Sequence, residues 1–177
     1  MNIRRLTYGG LFVALALVLP SMFHMVGLGQ IFLPMHIPVL FAGFVCGPVA
    51  GMLVGMVSPM LSALLTGMPP LMPPTAQAMV IELGLYGLLT GLLFERLRLG
   101  AYISLLGAMF AGRVIYGMVA WAILPMFGFP KVPVWAPLMG AFGKSLPGVI
   151  VQVVLIPPVL SLIKRDVRIL LPAKRRA

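Results

Sequence analysis

The chain has 177 residues, of which 61% are hydrophobic and only 9% charged, against roughly 25% charged in a soluble domain. With a mean hydropathy of +1.11, it lacks the polar surface that a soluble globular protein needs. The net charge of +10 falls in short patches between apolar runs, so it reads as a topology signal and a contact with anionic headgroups rather than as a nucleic-acid surface.

Apolar runs near the ~20 residues of a spanning helix recur along the chain. They predict an all-α membrane protein, a single domain over residues 1–177 built as a six-transmembrane-helix bundle. The first helix is expected at about residues 6–26. Arg4 and Arg5 followed by an apolar run imitate a signal peptide, but no small-x-small cleavage site follows, and the run reads as the first span. The second helix, about 35–46, is crowded by Pro34, Pro38 and Pro48, so it is short, tilted or broken. Irregular backbone at that depth must be shielded by protein or line a cavity. The remaining helices are expected at about 49–65, 75–95, 101–124 and 135–163. The single cysteine, Cys46, excludes an internal disulfide.

Six spans place Arg4 and Arg5, Arg96 and Arg98, and the C-terminal cluster of Lys164, Arg165, Arg168, Lys174, Arg175 and Arg176 on one side. Lys131 alone falls in an opposite loop. The positive-inside rule then puts both termini in the cytoplasm. The loops at about 27–34, 66–74 and 125–134 face outward and carry prolines or glycines, which suits ordered lids over a cavity. Small residues four apart, at Gly10/Ala14, Gly47/Gly51/Gly55 and Gly87/Gly91, allow close helix approach, either inside the bundle or against a partner helix.

Three ionisable residues, Glu82, Arg113 and Lys144, sit inside predicted spans, where charge is costly and must face the bundle interior or water. Glu82 can pair with Arg113 or with Lys144, and Lys144 can alternatively snorkel to the interface. One acid against two bases leaves a positive excess that favours an anionic ligand such as a carboxylate. Tyr86, Tyr116, Gln152, His36 and Gln77 are the polar neighbours expected to complete a substrate site. Ser58, Ser62 and Thr66 share a helix face, or bond to their own backbone. No metal-ligand cluster, catalytic set or phosphate-binding loop is present, so an enzyme is not expected and any ATP-driven motor must be another chain.

Residues 36–48 (HIPVLFAGFVCGP), residues 51–70 with Ser58-Pro59 and Thr66-Gly67-Met68-Pro69-Pro70, and residues 82–91 (ELGLYGLLTG) occur in the order found in substrate-binding S-components of energy-coupling factor (ECF) vitamin transporters. The chain resembles that family over nearly its whole length, and within it the pantothenate-type branch. The resemblance implies a bacterial or archaeal cell membrane and a vitamin site near the outer face. It also implies a membrane coupling subunit, two cytoplasmic ATPases that use ATP, and no cofactor in this chain. Docking through small residues of the first helix would fall on Gly10 and Ala14, with Gly in place of the leading Ala. A stand-alone ion or metabolite carrier or channel and a ligand-free scaffold are the rival classes.

Overall fold

The computed structural model describes residues 3–25, 27, 32–143 and 145–170, and these are all-α. In chain order the helices are α1 (Ile3–Met25), α2 (His36–Cys46), α3 (Pro48–Thr66), α4 (Thr75–Gly91), α5 (Ala101–Ile123), α6 (Trp135–Gly143) and α7 (Leu146–Leu170). A π turn (Leu92–Arg96) extends α4, and a 3₁₀ turn (Leu124–Phe127) extends α5.

Among the described residues, four stretches are long and apolar enough to cross a membrane: Ile3–Phe23, Pro48–Thr66, Thr75–Arg96 and Ala101–Phe127. The pair α6 and α7 makes a fifth if its bend of 50° is counted within one span. The expected count of six is therefore not reached on length and composition. The expected continuous helix over 135–163 is replaced by this bent pair. Pro147 in the first turn of α7 has no N–H to donate, and in a continuous helix its ring would clash with the carbonyl four residues back, at Gly143. The second helix is short, as its prolines foretold. Its 11 residues span only ~17 Å.

Glycine brings α2, α3 and α4 together. A Cβ at Gly55 would land on the Leu83 carbonyl, and one at Gly87 on the carbonyl of Gly51. The seam therefore forms by direct backbone approach, which gains dispersion contact where no hydrophobic force separates helix from lipid. Gly47 turns α2 into α3 with φ +88, a left-handed conformation open to glycine, and Pro48 follows at the first helical position. Val39, Leu40, Phe44, Leu83, Leu105, Met109, Ile156 and Leu160 fill the buried core.

The bundle has two distinct ends. At one, Arg5 Nη2 lies 3.1 Å from Glu95 Oε1 and ties the start of α1 to the end of α4. Gly47 sits against the same pair, 2.5 Å from Glu95 Oε2 were a Cβ added. Arg4, Arg96 and Arg98 belong to this basic end, as the charge pattern requires. At the opposite end are the α3–α4 loop (residues 67–74) and the start of α2. On α1, Gly9 and Ala16 are buried, whereas Gly10 and Ala14 are exposed.

Candidate functional site

The loop end holds a cavity of about 380 Å³. Its depth is set by where α4 and α5 carry charge. Glu82 lies about two turns into α4 and Arg113 nearly three turns before the end of α5. Both face inward, with Glu82 1% and Arg113 6% exposed. Arg113 Nη1 is 3.0 Å from Glu82 Oε1, and Tyr86 OH donates to the same oxygen at 2.9 Å. Tyr86 stands one turn along α4 from Glu82, so the helix period alone brings the two side chains together. Gly112 makes room for this arrangement, because a Cβ there would meet the Tyr86 ring. His36, at the start of α2, completes the cluster. Its Nε2 lies 3.9 Å from Glu82 Oε2, beyond hydrogen-bond reach, and its ring is tilted against Tyr86 with centroids 5.4 Å apart.

A buried charge pair is tolerated when geometry is good and the remaining polar atoms find partners. The first condition is met. The second is met only in part: both ring nitrogens of His36, and Nε and Nη2 of Arg113, are buried without a hydrogen-bond partner among the described residues. Such groups cost free energy until a water or a ligand engages them.

Around this polar floor the walls are mostly apolar. Pro20 of α1, Leu33, Pro34 and Met35 line one side, Met79 and Tyr116 another, and Met68, Pro69 and Pro70 lie above. A second cavity of about 320 Å³ adjoins the first. The two share Leu33, Arg113 and Tyr116. The second is otherwise bounded by Pro74, Ala120, Leu124, Pro137, Gly140, Ala141 and Ser145, so it opens between α5 and the α6–α7 bend.

Of the residues singled out in the sequence, Glu82, Arg113, Tyr86, His36 and Tyr116 converge here. Gln77 does not line either cavity. It is exposed and donates to the Leu71 carbonyl at 3.0 Å. Gln152 is buried on α7, outside both linings, with neither amide atom partnered among the described residues. Ser58 and Thr66 bond back to Val54 O and Ser62 O of their own helix, while Ser62 turns to Met68 O in the loop. Lys144 lies outside the described residues, and its neighbours Gly140, Ala141 and Ser145 line the second cavity. The apolar lining from Pro20, Leu33, Met35 and Met79 was not singled out. A proline inside α1 was its one local signal, since ordinary apolar residues look alike whether they face lipid, core or ligand.

No three His, Cys, Asp or Glu side chains group as a metal site among the described residues. A family model described as "ECF transporter, substrate-specific component" matches residues 4–160. No curated protein and no solved structure matches the chain.

Proposed function

The chain belongs to the substrate-specific components of ECF transporters, and from that membership we propose that it captures a small carboxylate-bearing vitamin or vitamin-like solute, with pantothenate favoured, in the loop-end cavity. Such components carry substrate rather than catalyse, and they work with a transmembrane coupling subunit and ATPase subunits. In this reading the chain forms a six-span bundle in which α2 is a short span shielded by α1, α3 and α4. Both termini are cytoplasmic, the loop end faces outward, and Gly10 and Ala14 meet the coupling subunit.

The observation that supports this most is the cavity itself. At about 380 Å³ it falls in the range of small-molecule sites, ~300–1,000 Å³, that combine apolar walls with a few polar groups. Glu82 and Arg113 neutralise one another at its floor, so a substrate anion needs a further cation. Lys144, beside the second cavity's lining residues, is the basic residue left to supply it.

Native mass spectrometry of the purified chain, with extraction of co-purified small molecules, tests the reading. A bound vitamin acid is expected. A chain that emerges empty, or that moves an ion across vesicles without partner subunits, would replace this proposal with one of the rival classes.

A further inference from the structure

Pro69 and Pro70 line the cavity from the α3–α4 loop, and side chains of α3 and α4 hold the backbone on either side of them; Thr66 touches Met68 at 3.3 Å, and two shorter bonds come from Ser62 and Gln77. Ser62 Oγ, on α3, donates to Met68 O at 2.6 Å. Gln77 Nε2, on α4, donates to Leu71 O at 3.0 Å. The two bonds bracket the proline pair. Neither Ser62 nor Gln77 lines the cavity, whereas Met68, Pro69 and Pro70 do.

The chemistry of the segment explains why it needs such help. Pro69 and Pro70 have no N–H, so this turn cannot be closed by its own backbone bonds there, and its carbonyls must find donors elsewhere. Fixed φ angles make the pair a stiff plate. The hydroxyl of Ser58, one turn further from the loop, is spent on its own helix at Val54 O. Ser62 differs in having its hydroxyl directed out of the helix to the loop.

We propose that Ser62 and Gln77 are lid-positioning residues, which hold the Pro69–Pro70 plate over the cavity and set how often it lifts. The proposal rests on the cavity being the capture site, but it is tested without any ligand. A cysteine at position 79, in the cavity wall, reports access, and the native Cys46, buried at the basic end, reports loosening of the whole bundle. Met79→Cys protein in lipid nanodiscs is treated with a charged thiosulfonate, and each site's modification rate is read by peptide mass mapping. Modification through transient opening tracks the opening equilibrium. Ser62→Ala and Gln77→Met each remove one donor with little change in bulk. Each should raise the rate at position 79 by roughly threefold to tenfold, and the double variant by about the product. The Cys46 rate and the melting temperature should stay put.

Hydrogen exchange at the Met68 and Thr75 amides, which donate to Thr66 Oγ1 and Met72 O on either side of the proline pair, reads the same opening in the chain without the Met79 change, so a reporter that fails to fold does not leave the question open. An unchanged rate at position 79 in the double variant, or a parallel rise at Cys46, overturns the proposal. If co-purified vitamin is found while the reporter ignores Ser62 and Gln77, the lid pins fall and the capture function stands. If the chain is empty and its reporter responds as expected, the lid pins stand and the capture function falls.

Discussion

Arg113 Nη1 and Tyr86 OH converge on one oxygen of Glu82, at 3.0 and 2.9 Å, inside a bundle where Glu82 is 1% exposed. Glu82 is the acid that balances Arg113 in the interior, and removing it strands a guanidinium among apolar walls. Glu82→Gln should therefore destabilise the ligand-free chain by about 3–5 kcal/mol, as for other broken buried pairs. Thermal melting in a fixed lipid or detergent checks this. The double variant Glu82→Gln/Arg113→Met removes both charges and should recover part of the loss. A single variant as stable as the parent would show that the pair is not held as a pair.

The glycine seam gives a second contrast. Gly55→Ala places a methyl on the Leu83 carbonyl, and backbone cannot step aside as a flexible side chain can. Overpacking of this kind typically costs about 1–3 kcal/mol, and here the higher end is expected. Gly10→Ala adds the same methyl where nothing lies within 4 Å. It should leave the melting temperature unchanged or slightly raised, since Ala favours helix. Equal effects at the two positions would contradict the packing of α3 on α4.

The polar cluster is legible in the sequence because its parts follow from local rules. A lone acid at membrane depth needs a cation, and Tyr86 one turn from Glu82 must share its face. The short α2 is legible from Pro34, Pro38 and Pro48. The break before α7 is not, although Gly143 and Pro147 flank it, because the apolar runs on either side together have the length of one span and Lys144 between them reads as a functional charge within it. The role of Gln77 is hidden for a different reason. A polar residue near a helix end looks the same in sequence whether it meets a ligand or a loop carbonyl six residues back. Pro20, Met79 and Leu33 meet only through long-range packing, which no periodicity encodes.

The outward face of α1 leads to a third prediction. Gly10 and Ala14 are exposed, and the buried small residues of this helix are Gly9 and Ala16 instead. Gly10→Leu or Ala14→Leu should thus spare the fold and the cavity while holding a partner helix off. Uptake by vesicles containing the full complex should fall roughly tenfold or more, with solute affinity nearly intact. Calorimetry on the isolated chain separates the two effects. Loss of binding in step with uptake would assign this face to the bundle rather than to docking.

Lys144 carries the last prediction. Arg113 is already engaged by Glu82 at 3.0 Å, which leaves Lys144 as the cation in excess among the three ionisable residues of the predicted spans. Gly140, Ala141 and Ser145, its neighbours in sequence, line the cavity that meets the first at Arg113 and Tyr116. An ammonium there would meet a substrate carboxylate in a partly dry pocket, a charge-assisted contact worth about 1.5–3 kcal/mol. Lys144→Met keeps length and apolar bulk and removes the charge. With pantothenate as the first ligand tried and the co-purified solute as the second, Kd should rise roughly 10- to 150-fold. The ligand-free melting temperature should hardly move. Snorkelling of Lys144 to the interface predicts an unchanged Kd. A structural pair with Glu82 predicts a lower melting temperature with or without ligand, rescued by Glu82→Gln. That second outcome would also require Arg113 to give up its partner, so measuring Lys144→Met and Glu82→Gln side by side decides which cation Glu82 serves and which one is free for the substrate.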